Sequence, residues 1–310
     1  MMTEDDIKAI VAGEMSNCVS DELVNAKRDA MRYFEGELPA PSGIMGRSSV
    51  VSTDVADACE WLLPNIVESL TGKAVKFQPM SAQDEDQAVL ETDLTHFAFS
   101  EDNNGYLNLY EAAKDALLTG VGIWKIYFDD TPERVVERYA GIDENQMQAL
   151  LADPMIEVTE IERSETDGIS VTAARITRQG KVRVEAVPAE EFRVNDDADS
   201  LDLTEARFCA HTVRRTASDL LALGYDPDII DEAAFDSLER EQDQYHMVSD
   251  LDDSQKLIVV TEAYLKMDIN EDGIGEMCKI TFVGESNPSH ILDIEEVAEI
   301  PFVAMSAIPM

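Results

Sequence analysis

The spacing of apolar residues changes near residue 120, and this change constrains the fold more than any other feature of the sequence. Upstream, apolar side chains recur every three or four residues, the pattern of amphipathic helices, in Glu4–Phe34, Val55–Leu70, Asp84–Phe99 and Tyr106–Thr119. Downstream, β-branched and aromatic residues or alternating polarity favour strands at Val121–Phe128, Ile169–Ile176, Val182–Val187, Lys256–Met267 and Ile274–Val283. The sequence therefore predicts an α+β fold, with a mainly helical region over residues 1–130 that ends in a strand and a β-rich region over residues 131–310.

Shorter patterns add local predictions. Pro64 lies inside the second predicted helix, so a kink or two short helices are expected there. Lys73–Pro79 alternates like a short strand, and residues 157–194 are expected to form a β-meander. Asp143–Ala152 begins with a capping box and is predicted to be a short helix.

The third predicted helix is acidic and amphipathic. Its apolar residues Leu90, Leu94 and Phe97 recur at intervals of four and three, so they align on one side of the helix.

The charge of the chain is strongly one-sided. There are 64 acidic and 24 basic residues, a formal net charge of −40. Such a surface repels phosphate backbones, which argues against DNA binding through a basic patch. Two interpretations of this acidity stay open. It serves solubility or life in a salt-rich habitat, or it forms a surface that faces DNA without binding it tightly. The acid is dense over residues 226–253, where weak periodicity predicts a short helix followed by an acidic loop.

Targeting segments are not indicated. The sequence has no window of about 18 apolar residues, so no membrane span is predicted. The N-terminus is acidic, whereas a signal peptide begins with a basic and then an apolar segment.

The sequence offers no motif for catalysis or zinc binding. Gly120 and Gly122 lie between a helix and a strand, the reverse of the order in a dinucleotide-binding loop. Cys209 and His211 share a strand face, but nothing orients the base as a nucleophile–base dyad requires. The four cysteines form no C-x-x-C pair and are expected to be small buried residues in a reducing compartment. They are Cys18, Cys59, Cys209 and Cys278. We therefore predict that the chain is not an enzyme.

The turn between the last two predicted strands reads D-x-N-x-D-G, the opening of a calcium loop. A true EF-hand is rejected, since position twelve is Lys279 rather than glutamate and the flanking segments are predicted strands. Two alternatives stay open: a looser Ca²⁺ site built from Asp268, Asn270 and Asp272, or a tight hairpin turn, for which Asp, Asn and Gly are the natural residues. No other cofactor is predicted.

Three stretches resemble one known family, and they occur in the family's order. Residues 46–72 read GRSSVVSTDVADACEWLLPNIVESLTG, residues 117–122 read LLTGVG before an apolar strand, and residues 187–224 carry V-P-x-E-x-F, A-x-F-x-A-H and a helix ending at glycine. Over about half of its length, the chain resembles the portal proteins, or head-to-tail connectors, of short-tailed, podovirus-type bacteriophages.

The resemblance implies a structural protein. Portal proteins form a ring, dodecameric in this family, at one capsid vertex, and double-stranded DNA is packaged and ejected through its channel. The implied fold is a wing-type α/β domain, and the resemblance leaves open whether it runs into stem and clip elements. Such proteins have no catalytic residues, and on this basis Arg47 and Trp61 are candidates for structural or inter-subunit roles.

The resemblance also implies partners and a location. The expected partners are the terminase large subunit, head-completion or adaptor and tail proteins, scaffold and major capsid protein, with DNA passing through without sequence-specific binding and with no membrane. The expected location is the capsid portal vertex of the virion, after synthesis in the cytoplasm of the host bacterium.

Two tryptophans and the length of the chain complete the expectations. Trp61 and Trp124 are expected to anchor a core. Family members are usually longer, and an apolar stretch precedes residue 310, so a truncated chain is expected.

The alternative function, from another class, is a free-standing acidic module that either binds calcium or mimics DNA. A DNA mimic would be a monomer whose binding to basic proteins weakens with salt.

Overall fold

The computed structural model describes residues 2–18, 21–37, 52–71, 75–81, 83–130, 133–164, 168–178, 180–198, 200–233, 252–270 and 272–307. The fold is α+β, as predicted. Its helices are α1 (Glu4–Ser16), α2 (Asp21–Phe34), α3 (Asp54–Thr71), α4 (Glu85–Phe97), α5 (Gly105–Thr119), α6 (Glu144–Ala152) and α7 (Ala217–Ala222). Its strands are β1 (Gly122–Asp129), β2 (Glu133–Ile142), β3 (Ile156–Ser164), β4 (Gly168–Arg178), β5 (Lys181–Val187), β6 (Phe192–Val194), β7 (Phe208–Thr216), β8 (Leu257–Met267), β9 (Glu276–Val283), β10 (His290–Glu296) and β11 (Phe302–Met305).

The first predicted helix, Glu4–Phe34, is divided into α1 and α2. A capping box of Thr3 and Asp6 starts α1, and the amide of Asn17 bonds back to two carbonyls of the last turn. Ser and Asn side chains compete with helical hydrogen bonds, so they are found more often at helix ends than inside. Ser16 and Asn17 are such residues, and helix α1 stops there.

A five-stranded antiparallel sheet, ordered β10–β9–β8–β7–β6, carries the main core. The predicted hairpin of Lys256–Met267 and Ile274–Val283 is confirmed as β8 and β9. Because side chains alternate between faces along a strand, each face of this sheet has its own set of partners.

Helix α1 covers one face of the five-stranded sheet. The buried residues of this layer are Ile7, Val11, Met15, Cys18, Phe208, Ala210, Ala263, Leu265, Met267, Ile280 and Phe282. The N-terminal helix is thus packed on strands that come more than 190 residues later.

The opposite face of the sheet packs on a second cluster centred on Phe302. Its members are Ile123, Val187, Phe192, Leu203, Ala206, Cys209, Tyr264, Ile300 and Phe302. The Phe302 ring lies edge-on to Phe192 at 4.9 Å and to Tyr264 at 5.5 Å, centroid to centroid, a favourable aromatic geometry. Strand β11, which carries Phe302, pairs with β1.

Helices α3 and α5 form a smaller helical core. Leu63 and Val67 of α3 pack on Leu109 and Ala113 of α5. Helix α3 continues through Pro64, which excludes two separate short helices, and the alternative of a kink at Pro64 stays a prediction.

The predicted β-meander over residues 157–194 is also wrong. Strands β2, β4 and β3 form one antiparallel sheet, while β5 lies in another, ordered β11–β1–β5. Strand β2 was not predicted. The capping box of Asp143 and Gln146 at the start of α6 is confirmed, and Met147 of α6 packs on the β2–β4–β3 sheet.

Two other local predictions meet the structure in part. The described part of Lys73–Pro79 is not a strand, and its Phe77 amide donates to the Thr92 hydroxyl at 3.0 Å. Residues 227–233 are helical, in line with the short helix predicted there. Most of the acidic loop predicted over residues 226–253 lies outside the described residues.

The contacts group the chain into two compact units, one comprising residues 1–125 and 185–310 and the other residues 126–184. The first unit joins the two ends of the chain because α1 packs on C-terminal strands, and the division into residues 1–130 and 131–310 stays a prediction. Within the described ranges, no helix has both the length and the apolar character to cross a bilayer.

The junction between α5 and β1 gives a first test of this packing. Gly120 caps α5 with a φ of 91°, and a Cβ there would meet nothing within 4 Å. A Cβ on Gly122 would lie 2.1 Å from the Ala112 carbonyl oxygen. We expect Gly120→Ala to cost about 1 kcal/mol from backbone strain, and Gly122→Ala to cost about 3 kcal/mol or more from overlap. Chemical denaturation of both variants measures this, and an equal or reversed order would contradict the packing described here.

Candidate functional site

The candidate calcium residues form a hydrogen-bonded turn between β8 and β9. The two carboxylate oxygens of Asp268 accept from the amides of Asp272 at 3.0 Å and Gly273 at 2.7 Å. The side-chain oxygen of Asn270 accepts from the Asp272 amide at 2.9 Å, and Asp272 accepts from the Ile274 amide at 2.8 Å. These bonds explain the residue types as those of a hairpin turn. A Ca²⁺ site at the same residues stays a prediction.

Of the two residues named from the family resemblance, the structure describes only Trp61. Arg47 lies outside the described residues. Trp61 is 73% exposed on α3, so the expectation that it anchors the core is wrong. Trp124 is half-buried beside the α3–α5 core, and its indole N–H donates to the Asn108 carbonyl at 3.2 Å. The inter-subunit role of Arg47 and Trp61 stays a prediction.

Three of the four cysteines are buried, as the sequence predicted. Cys18, Cys209 and Cys278 are buried, and Cys59 is half-buried. Burial raises the pKa of the Cys209 thiol far above its usual range. Cys209 is therefore held as a neutral thiol, which gives the neighbouring His211 no nucleophile to activate.

Helix α4 presents its apolar residues to solvent. Leu90, Leu94 and Phe97 align as predicted, but they are 68%, 64% and 53% exposed. We call these three residues the α4 stripe. The side of α4 that faces the protein carries Ala88, which is buried, and Thr92, whose hydroxyl bonds to the Ala88 carbonyl and to the Phe77 amide.

A row of charged side chains crosses the five-stranded sheet on its Phe302 face. The strand register sets His211 of β7 opposite Glu262 of β8, and Lys279 of β9 opposite Glu295 of β10. Lys125 of β1 reaches into this row and makes a hydrogen-bonded ion pair with Glu262. We call these five residues the charge cluster: Lys125 and His211 are buried, Glu262 and Lys279 are partly buried, and Glu295 is exposed. None of the five was predicted as a site, because only the register brings them together.

Ion pairs in the cluster favour the charged forms of Glu262 and Lys279. Burial works to raise the pKa of Glu262, but the charge and hydrogen bond of Lys125 bring that pKa below its ordinary value. Burial likewise opposes the charge of Lys279, yet the carboxylates of Glu262 and Glu295 raise its pKa. The Lys279 ammonium lies 3.2 Å from a Glu295 oxygen. The cluster thus contains two pairs of compensated charges, Lys125 with Glu262 and Lys279 with Glu295, and the first pair lets the Lys125 ammonium be buried.

His211 is the neutral member of the cluster. Burial, followed by the nearby charge of Lys125, lowers its pKa to about 4. Its Nε2 lies 3.6 Å from a Glu191 oxygen, and its ring lies edge-on to Phe302 at 5.8 Å. At neutral pH the contact with Glu191 is therefore not an ion pair. Within the described part of the chain, the buried Nδ1 has no hydrogen-bond partner.

The cluster predicts a specific loss of stability in acid. An unfolded histidine titrates near 6.5, so between pH 6.5 and 4 the unfolded state binds more protons at this position than the folded state does. The stabilisation from neutral His211 is complete above pH 6.5 and is lost as the pH falls to 4, by on the order of 2–3 kcal/mol. We expect His211→Gln to flatten the dependence of the unfolding free energy on pH in this window. Parallel profiles for the variant and the wild-type chain would contradict the assignment.

The β8–β9 turn gives a second test. Asp268→Ala removes two backbone hydrogen bonds, and we expect it to lower the unfolding free energy by about 1–2 kcal/mol. As a hairpin turn, the wild-type segment should give the same melting temperature in excess Ca²⁺ and in chelator. A rise in melting temperature with Ca²⁺ that Asp268→Ala abolishes would instead support the metal site.

Comparisons with known proteins agree with the resemblance found in the sequence. The model of one protein family, described as the phage SU10 portal protein, matches residues 7–310. No curated protein matches the chain.

Proposed function

The chain belongs to the phage SU10 portal protein family, and from this premise we propose that it is a subunit of a ring at one capsid vertex that forms the channel for packaging and ejecting double-stranded DNA. The observation that carries the proposal is the family match, which extends over residues 7–310. The family is one of structural proteins rather than enzymes, and it implies a place in the virion capsid.

The charge of the chain supports a channel role. Every phosphate of a DNA that moves through a ring passes the same channel wall. Strong attraction between the wall and these phosphates would slow the passage. Since log affinity for DNA grows with the number of phosphates that basic residues neutralise, a channel wall with few basic residues favours free passage. A chain with 64 acidic and 24 basic residues is suited to such a wall.

The exposed apolar residues of α3 and α4 support assembly. A lone tryptophan at 73% exposure and a helix with an outward apolar stripe are unfavourable in water. In a ring, neighbouring subunits would cover such surfaces, and a twelve-fold ring is the form that the resemblance implies. The same proposal assigns terminase, adaptor or head-completion proteins, tail proteins, scaffold and major capsid protein as docking partners.

Imaging tests the ring directly. We expect negative-stain images of the purified chain to show annular particles with a central hole, and light scattering to give a mass that is a multiple of the chain mass. The measurement is made at low and high salt, because screening lowers the repulsion between acidic subunits and should favour assembly. A monomer at every salt concentration would contradict the proposal and favour the free-standing acidic module.

A further inference from the structure

Helix α4 is held to the rest of the protein by little apolar surface. Of its 13 residues only Ala88 is buried, and the α4 stripe is open to water. The hydroxyl of Thr92 accepts from the Phe77 amide at 3.0 Å, but Phe77 lies in residues 75–81, which are all exposed. A segment with few buried apolar contacts is one that opens locally while the rest of a protein stays folded.

The C-terminal end of α4 is an irregular joint. The helix passes into a π-helical turn over Ala98–Asp102, a rare geometry that occurs mostly as single turns and often at functional sites. Asn104 then adopts the left-handed conformation, with φ 49° and ψ 51°, which asparagine visits more readily than most residues other than glycine. Residues 98–104 therefore connect α4 to α5 through backbone conformations that are less favourable than regular helix.

Two asparagine side chains secure this joint, and each donates its Nδ2 to the main-chain carbonyl five residues earlier. Asn103, which is 7% exposed, donates to Ala98 at 2.6 Å. Asn108 of α5 donates to Asn103 at 2.6 Å. The two bonds connect the first residue of the π-helical turn to α5, and they pair polar groups that burial would otherwise leave unsatisfied.

Asn108 also ties the joint to two strands. Its side-chain oxygen accepts from the Ala186 amide in β5 at 3.0 Å, and its main-chain oxygen accepts from the Trp124 indole N–H in β1 at 3.2 Å. Phe99 of the π-helical turn packs on the α3–α5 core. The core side of the joint is therefore fixed at several points, whereas the α4 side carries a single buried residue.

We propose that residues 98–104 are a hinge for α4 and that Asn108 is its latch, so that α4 is released as one unit while the core stays folded. Hinges are a few residues at the ends of elements that absorb changes of φ and ψ, and this joint has that position and an irregular backbone. The movement takes place within one chain, so the inference does not rest on the proposed ring.

Asn108→Asp separates the two bonds of the latch. The carboxylate keeps an oxygen that accepts from the Ala186 amide, but it has no N–H for the Asn103 carbonyl and repels that oxygen. Asn108→Ala removes both bonds. Asn65→Asp is the matched control, because the Asn65 Nδ2 also donates to a main-chain carbonyl, that of Trp61 at 3.1 Å, within α3.

Hydrogen exchange followed by mass spectrometry reports the opening of each segment in the full chain. A helix of 13 residues is marginal by itself in water, so α4 loses protection when the latch opens. We expect Asn108→Asp to speed exchange in α4 about tenfold and to leave β5 and β8 unchanged. Asn108→Ala should speed exchange in both α4 and β5, and Asn65→Asp should leave α4 like the wild-type chain. A thermal melt shows that each variant is folded, and light scattering shows that all are compared in the same association state.

Unchanged exchange of α4 in Asn108→Asp would overturn the proposal, because the latch would then not hold the helix. An equal rise in α4, β5 and β8 would overturn it as well, since the chain would be opening as a whole. Faster exchange of α4 in Asn65→Asp would also count against it, because α4 would then respond to the loss of any such bond. Where Asn108→Asp does not fold, Asn103→Ala removes the bond to Ala98 and tests the same joint with the same expected outcome in α4.

Discussion

The hydrogen-bonded ion pair between Lys125 and Glu262 is the constraint on which the main core depends. A buried charge is tolerated only when its partner is in place, and removing one partner of such a pair typically costs 3–5 kcal/mol. Lys125 comes from β1 and Glu262 from the middle of the five-stranded sheet. The pair therefore fixes where β1 meets the sheet, and through β11 it fixes where Phe302 sits over the same face.

Charge also limits how the molecule can associate. A chain with a net charge of −40 has few ways to bring copies of itself together, because acidic surfaces repel at close range. The charge cluster uses two of the scarce lysines, Lys125 and Lys279, to compensate Glu262 and Glu295. Helix α4 leaves its large apolar side chains open to water and turns small ones toward the protein, the reverse of an ordinary surface helix.

Local sequence patterns predicted the elements better than their assembly. Residues close together in the chain were enough to predict the α6 capping box, the β8–β9 hairpin and the burial of three cysteines. They did not settle the division of α1 from α2 or the unbroken course of α3 through Pro64. The end of α1 and the course of α3 depend on whether helical hydrogen bonds are more stable than the local alternatives. The spacing of apolar residues does not report this balance.

The sequence by itself determined the α+β class, the excess of acid and the resemblance to portal proteins, since each is carried by composition or by contiguous residues. Only the tertiary structure decided that α1 lies on the C-terminal sheet, that β4 and β5 belong to different sheets, and that Lys125, His211 and Glu262 share one charge cluster. It also decided that the aligned leucines of α4 face water. The physical reason is the same in each case: pairing and burial are set by contacts between residues far apart in sequence, and an amphipathic pattern states that one side is apolar without stating what covers it.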